Sequence, residues 1–187
     1  GKLIRGDTGR PDGEFLRFDP TVPDGVSPRS VPGTKHGLYY ANSYEHDGKG
    51  HVIDSAAKRV VMVEKRLRKF DAIKQDILPP IYFGDQDADI TFITWGSSKG
   101  SVLTAMETLR GQGKKVGTVY MSWMFPFPDD AVKGYLAKAK RVIDVEQNAT
   151  GQLASLIRQY TGIEITEKIL QYDGRPMYPE DIVARIK

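Results

Sequence analysis

The sequence predicts an α/β fold: an open, mainly parallel sheet flanked by helices, preceded by an extended Gly/Pro-rich segment and a connecting helix. Two observations lead to this prediction. From residue 81 onward, short apolar runs alternate with helical patterns, which is typical of βαβ units. Before that, the first 55 residues are rich in Gly and Pro and show little periodicity. We therefore expect an extended segment over 1–55, a connecting helix over 56–80 and an α/β domain over 81–187.

The extended segment carries too many prolines to form a core of its own. Its prolines are Pro11, Pro20, Pro23, Pro28 and Pro32. It also carries more apolar residues than a disordered linker would, and the largest are Phe15, Leu16, Phe18, Leu38, Tyr39 and Tyr40. We expect extended chain that packs on a partner surface.

The helix that follows, over residues 56–78, is predicted from apolar residues near helical spacing. They are Val60, Val63, Leu67, Phe70 and Ile77. The interspersed Lys and Arg residues indicate a solvated face rather than a nucleic-acid patch, since no aromatic residues alternate with them for base stacking. Pro79 and Pro80 end the helix, because proline lacks the amide hydrogen and disfavours helical geometry in the residue before it.

The α/β domain is built from alternating strand and helix patterns. The predicted strands are 90–95, 116–121, 142–146 and 165–170, and the predicted helices are 98–112, 129–140, 150–161 and 179–186. Helices of this length between strands imply crossover connections and a sheet covered on both faces. The segment Gly111-Gln112-Gly113 precedes a strand and indicates a helix stop.

Composition excludes several classes of function. The net charge of +3 and the pI near 9.0 describe a mixed surface, from which we infer no nucleic-acid partner. The chain has no Cys, so it offers no disulfide, thiol nucleophile or thiolate metal ligand. No stretch approaches the roughly 20 apolar residues of a membrane helix, and we expect a soluble, cytoplasmic protein without a membrane partner. Because it starts at Gly1, we expect the chain to be part of something larger.

The junction after the first parallel strand is a candidate anion site. It consists of Gly96, Ser97, Ser98 and Lys99. Free amides at a helix start, with the helix dipole, favour a phosphate or carboxylate, and the serines are positioned to cap the helix. The spacing does not fit a Walker A loop, since three residues separate the glycines and the Lys precedes the second one. A capped turn without a ligand is the other interpretation.

Three further segments have both a functional and a structural interpretation. Residues 121–128 leave a strand with Trp123, Phe125 and Phe127, which favours either an interface or ordinary core. Asn148 and Thr150 lie at the edge where ligands of open α/β sheets gather, but also where they would cap the next helix. The His46 to His51 loop permits a divalent metal, although solvated turn residues are the default.

Several short motifs occur in order along the chain. In the first 80 residues they are residues 24–29, 31–33, 43–46, 50–51 and 59–68. Further on they are residues 93–97, 125–128, 145–148, 151–153 and 172–176. Taken together, these motifs resemble the α subunit of 2-oxoacid:ferredoxin oxidoreductases, especially the 2-oxoglutarate-type and archaeal enzymes. Each is short, but their order covers nearly the whole chain.

The resemblance implies that residues 1–78 are the end of a thiamine-pyrimidine-type domain and residues 81–187 a transketolase C-terminal-like domain. The family decarboxylates a 2-oxoacid oxidatively with thiamine diphosphate and Mg²⁺, forms acyl-coenzyme A, and passes electrons through a [4Fe–4S] cluster to ferredoxin. The family's Tyr-Pro-Ile-Thr-Pro segment is absent here, and the cluster cysteines belong to the β subunit. The resemblance therefore implies cofactors bound mainly outside this chain, which alone is expected to be inactive.

Under this resemblance the chain's role is assembly with the β subunit and the missing amino-terminal part of the α subunit. No catalytic or metal-binding residue is assigned. The loops of Arg29 and His46, together with the exit of residues 121–127, are the expected interfaces. Two alternatives stay open: a stand-alone α/β domain that binds an anionic ligand such as a nucleotide or coenzyme A at the Gly96 turn, and a transketolase-like or pyruvate-dehydrogenase-type β chain.

Overall fold

A computed structural model of the chain describes residues 13–186. The first twelve residues of the predicted extended segment, including Pro11, and the terminal Lys187 lie outside the described residues. The chain divides between Asp76 and Ile77 into two compact units. The first unit holds the Gly/Pro-rich segment and the helix, and the second holds the sheet and the remaining helices.

In the first unit, an extended segment is held by hydrogen bonds to helix α1, which spans Ala56–Asp76. The segment consists mainly of turns and extended chain, with an isolated antiparallel bridge between His46 and Val52. The helix ends two residues before the predicted end, ahead of Pro79 and Pro80. Its existence and its termination before the prolines are confirmed.

The buried face of α1 is not the one that its apolar spacing predicts. Val60 and Leu67 are 55% and 57% exposed, whereas Met62 and Lys65 are buried. The Lys65 ammonium donates to the Gly25 carbonyl over 2.5 Å, and the close approach of the two segments requires glycine there, because a Cβ would lie 2.4 Å from the Lys65 carbonyl oxygen. Burial lowers the pKa of Lys65 to about 8.

Other basic residues of α1 also hold the extended segment. Arg66 makes a bidentate ion pair with the Glu45 carboxylate, at 2.9 and 2.7 Å, and the Arg68 guanidinium donates to the Pro20 carbonyl. The prediction of a solvated basic face is therefore wrong for Lys65, which is buried, while Arg66 is exposed and Arg68 partly exposed as they contact the extended segment. Backbone carbonyls of an irregular segment have no hydrogen-bond partner within a helix or sheet, so Lys65 and Arg68 serve as donors to two of them. Arg66 is the donor to the Glu45 carboxylate.

The second unit contains one five-stranded sheet. Its strands are β1 Ile81–Gly84, β2 Ile90–Trp95, β3 Val116–Met121, β4 Val142–Glu146 and β5 Glu167–Leu170. They are ordered β1-β3-β2-β4-β5. β1 runs antiparallel to β3, and the other three pairings are parallel. The prediction of an open, mainly parallel sheet is confirmed.

Helices cover both faces of the sheet. They are α2 Lys99–Gly111, α3 Asp129–Leu136, α4 Gln152–Thr161 and α5 Pro179–Ala184. One apolar cluster joins Phe92 of β2 to residues of α2 and α5, and the other joins Ile93, its neighbour on β2, to residues of α3 and α4. Because successive residues of a strand point to opposite faces, the interior strands are apolar on both sides.

The main differences from the predicted elements lie at the edges. β1 was not predicted, β5 begins at Glu167 instead of residue 165, and α3 ends at Leu136 instead of residue 140. The predicted stop after α2 is confirmed, since Gly113 has φ +83° and its amide donates to the Arg110 carbonyl. Within the described residues, none of the helices has the length and apolar character to span a membrane.

Candidate functional site at the carboxyl edge of the sheet

The carboxyl ends of β2, β4 and β5 gather three polar loops at one edge of the second unit. Ser97, after β2, donates its hydroxyl to the Gln147 side-chain oxygen at 3.2 Å, and Gln147, after β4, donates its side-chain amide to the Arg175 carbonyl at 3.4 Å. Open α/β sheets bind ligands at such an edge. The predicted polar groups of the loops after β2 and β4 are therefore brought together.

The Gly96 turn departs from the predicted anion site in two respects. Ser98 is buried at the cap position of α2 but makes no side-chain capping hydrogen bond, so the prediction of a serine cap is wrong for Ser98. The Lys99 ammonium lies 4.6 Å from the ring centroid of Tyr120 and 5.4 Å from that of Phe83, where it makes cation–π contacts. Gly96 itself has φ +59° and adjoins open space.

Glu146, the last residue of β4, is the centre of this edge. Its Oε1 accepts hydrogen bonds from the backbone amides of Leu153 and Ala154 at 2.9 and 3.4 Å, and thereby occupies the start of α4. Its Oε2 accepts from Trp95 Nε1 at 2.9 Å and from Asn148 Nδ2 at 2.7 Å. The side chain thus joins the end of β2, the loop after β4 and the start of α4.

The carboxylate of Glu146 is buried and charged. Burial acts to raise the pKa of Glu146, but hydrogen bonding with Asp144, the Leu153 amide, Trp95 and Asn148 holds that pKa below its usual range. The hydrogen bonds to its two oxygens come from donors of the chain itself. The helix start that would otherwise offer an anion site at α4 is therefore already filled by a side-chain carboxylate.

Asp144 lies two residues earlier on β4, on the same face of the strand as Glu146. Its side chain is fully buried, and neither carboxyl oxygen has a hydrogen-bond partner of normal geometry. Burial, followed by the influence of Glu146, raises the pKa of Asp144 to about 9, while Lys168 acts in the opposite direction. At neutral pH the pair therefore holds one proton on Asp144 and one negative charge on Glu146.

Sequence reasoning did not identify Asp144 and gave Glu146 no specific role. The signal was present, because Val-Ile-Asp-Val-Glu places two carboxyl groups at i and i+2 in a strand interior to a parallel sheet. Such strands are normally apolar throughout. Two acidic residues there had to be either paired with donors or kept neutral.

Asn148 is a structural residue of the turn into α4. Its Oδ1 accepts hydrogen bonds from the amides of Thr150 and Gly151 at 3.0 and 2.8 Å. The capping interpretation of Asn148 is therefore supported by the geometry, although the helix itself begins later, at Gln152. Thr150 takes part through its backbone amide.

The aromatic residues that follow β3 lie partly in the core and partly on the surface. Phe127 is 5% exposed and stacks on Tyr160, with ring centroids 4.9 Å apart, so it belongs to the apolar cluster under α3 and α4. Trp123 and Phe125 are 38% and 55% exposed. The geometry thus supports the core interpretation for Phe127, whereas Trp123 and Phe125 are partly exposed to solvent.

Arg29 and His46 lie in the first unit. His46 is half-buried, with its ring centroid 4.2 Å from that of Phe18 and its Nδ1 3.0 Å from the Asp47 carbonyl oxygen. Arg29 is exposed. Among residues 13–186, no three His, Cys, Asp or Glu side chains converge in a way that could hold a metal ion.

These features define an α/β domain whose sheet carries helices on both faces and whose carboxyl edge is organised by an internal carboxylate. Comparison with known families is consistent with this class: the pyruvate:ferredoxin oxidoreductase core domain II family matches residues 88–182, more than half of the chain. The chain belongs to the 2-oxoacid:ferredoxin oxidoreductase family, in agreement with the resemblance of its motifs.

Its relatives include α subunits of archaeal enzymes. The chain is 33% identical, over all of its length, to the 2-oxoacid:ferredoxin oxidoreductase 2 subunit alpha of Aeropyrum pernix. It is 35% identical, over 93% of its length, to the corresponding subunit alpha of Saccharolobus solfataricus. In both cases it spans 28% of the relative's length.

A solved structure extends the similarity to three dimensions. The 2-oxoglutarate:ferredoxin oxidoreductase from Magnetococcus marinus, with 2-oxoglutarate, coenzyme A and succinyl-CoA bound, is 32% identical to the chain, with a TM-score of 0.81. The match covers 99% of this chain and 32% of that one. Both units of the chain, and not the sheet alone, therefore have counterparts in the relative.

Proposed function

We propose that this chain is a carboxyl-terminal portion of the α subunit of a 2-oxoacid:ferredoxin oxidoreductase and that it serves assembly. The whole enzyme would oxidatively decarboxylate a 2-oxoacid with coenzyme A, yielding acyl-CoA and CO₂ and reducing ferredoxin. The observation that carries the proposal is the match to the M. marinus enzyme over 99% of the chain. Family membership alone would not distinguish a complete subunit from a portion, but a chain that spans 28–32% of its relatives favours a portion.

The absence of Cys and the described residues give no fit to the family's metal groups. Thiolate ligation of a [4Fe–4S] cluster is impossible without Cys. The described residues offer no acidic cluster for the Mg²⁺ of thiamine diphosphate, and the start of α4 is filled by Glu146. In the proposal these groups are bound mainly by the partners, namely the β subunit and the amino-terminal part of the α subunit, and we assign no catalytic residue here.

A stand-alone binding domain is less well supported. Its anion site would use the Gly96 turn with Lys99 as the cation, but the Lys99 ammonium lies against two aromatic rings and Ser98 does not cap α2. Coenzyme A or nucleotide binding at this turn would therefore need Lys99 to leave its cation–π contacts. The proposed interface residues at this edge are Trp123 and Phe125, whose side chains are exposed.

Co-expression tests the proposal. We expect the chain, produced with the amino-terminal part of the α subunit and the β subunit from the same genome, to elute with them as one complex. That complex should reduce ferredoxin when supplied with a 2-oxoacid and coenzyme A, whereas the chain alone should show no activity. Elution of the chain only as a free, monodisperse protein would contradict the proposal.

A further inference from the structure

The described residues of the first unit, 13–76, form little apolar interior and a large apolar exterior. Among its described residues, Met62 is the one buried hydrophobic side chain. Many of its large hydrophobic residues are exposed instead, and six of them fall between residues 26 and 44. They are Val26 (53% exposed), Val31 (53%), Leu38 (90%), Tyr39 (37%), Tyr40 (61%) and Tyr44 (71%). We call residues 26–44 the apolar segment.

Part of the apolar segment forms a single concave surface. The Ser30 hydroxyl donates to the Gly37 carbonyl at 2.5 Å and folds the segment back on itself. Gly37 is required at this contact, because a Cβ there would lie 2.7 Å from the Ser30 Cβ. The resulting groove of about 450 Å³ is lined by Val31, Leu38 and Tyr39 among others, so these exposed side chains are neighbours in space.

The charge of the segment has one sign. Residues 25–44 contain no Asp or Glu, while Arg29 and Lys35 are basic and exposed. Exposed apolar groups rimmed by polar residues mark interaction sites, and several neighbouring ones are unusual on a monomer surface. The complementary surface would be apolar at its centre.

We infer that the apolar segment is a docking surface for the part of the α subunit that lies outside this sequence. The inference rests on the proposed function, from which the occupant follows. The chain spans 28% of the length of the A. pernix and S. solfataricus subunits, so most of such a subunit is available to cover this surface. Since the described residues of this unit bury one hydrophobic side chain, the unit gains its stability from such a cover rather than from its own interior.

A binding measurement between two separate polypeptides tests whether the apolar segment is this docking surface. The immobilised probe is the amino-terminal part of the α subunit from the same genome, and the analytes are the wild-type chain and the variants Leu38→Asp, Tyr40→Asp and Leu67→Asp. Leu67 is the matched control, since it is 57% exposed on α1, outside the apolar segment. We expect wild type and Leu67→Asp to bind alike, and Leu38→Asp and Tyr40→Asp to bind at least about tenfold more weakly.

The possible results distinguish failure of the docking surface from failure of the proposed function. Because Leu38 is 90% exposed, Leu38→Asp should keep the circular dichroism spectrum and unfolding midpoint of wild type. If wild type binds and both segment variants bind equally well, the docking surface is wrong while the proposed function stands. If the β subunit alone captures wild type and Leu38→Asp abolishes that capture, the occupant is wrong. If wild type binds neither polypeptide, both the inference and the proposed function fail.

Discussion

Asp144 is protonated inside the second unit because its carboxyl group is buried and no hydrogen-bond donor would stabilise the negative charge of its ionised form. Neither oxygen has a hydrogen-bond partner of normal geometry, and the neighbouring Glu146 is already charged. The pKa of Asp144 is raised from 3.8 to about 9. Between those two pH values the unfolded chain has released the proton and the folded chain has retained it. The free energy of unfolding therefore falls as the pH rises through this window, and its dependence on this group ends above pH 9.

The variant Asp144→Asn should consequently be more stable than wild type at neutral and alkaline pH. The amide has nearly the same shape and needs no proton to remain neutral. We expect the free energy of unfolding of Asp144→Asn to exceed that of wild type only slightly near pH 4. The difference should grow by at most about 1.4 kcal/mol per pH unit up to pH 9. Urea unfolding between pH 4 and pH 9 measures it, with the exposed Asp130→Asn as control. Unfolding curves whose difference does not change with pH would contradict a buried, protonated Asp144.

At the scale of elements, β4 and α4 are joined by one carboxylate. Glu146 ends the strand and accepts hydrogen bonds from the Leu153 and Ala154 amides in the first turn of the helix, and it also accepts one from the indole of Trp95 at the end of β2. A helix start within a buried layer needs such a partner, since its amides have none within the helix. The orientation of the loops at the carboxyl edge thus depends on Glu146.

Replacement of this residue should cost more than the loss of an ordinary surface charge. Glu146→Ala leaves two helix amides, an indole N–H and the Asn148 side chain without their acceptor, and we expect a destabilisation of about 2–4 kcal/mol. Glu107→Ala, which removes an exposed ion pair with Arg110, is the control and should change stability by less than about 1 kcal/mol. Urea unfolding followed by tryptophan fluorescence measures both, and equal midpoints would refute the role assigned to Glu146.

The elements themselves were largely predictable, and the exceptions have physical reasons. The three interior strands β2, β3 and β4 have the predicted bounds because β-branched apolar runs between helices leave few alternatives. β1 was missed because four residues between Pro80 and Asp85 give too short a pattern to recognise. The buried face of α1 was mistaken because the contact of Lys65 with Gly25 joins residues 40 apart, and no local spacing reveals it.

The candidate site was less predictable than the fold. Asn148 and the gathering of loops at the carboxyl edge follow from topology and turn chemistry, both of which are visible in the sequence. The protonation of Asp144 and the hydrogen bonds of Glu146 depend on burial and on side chains from β2 and α4. Such tertiary contacts override what residue type alone indicates. The cation–π position of Lys99 was missed for the same reason.

For the whole molecule, the two units differ in what stabilises them. Both large apolar clusters lie within residues 77–187, whereas Met62 is the one buried hydrophobic among the described residues of the first unit. Burial of apolar area is the dominant favourable contribution to folding. The second unit should thus be able to fold alone, and the first should depend on additional protein.

Two fragments test this difference. Residues 77–187 should give a helical and sheet-containing circular dichroism spectrum and a single cooperative urea transition, because the fragment retains its entire sheet and both clusters. Residues 1–76 should unfold without cooperativity. Adding Leu38→Asp to the first fragment is the matched control and should change nothing, since that side chain is 90% exposed. A cooperative transition for residues 1–76 alone would show an independent core in the first unit, and its apolar segment would then need no partner for stability.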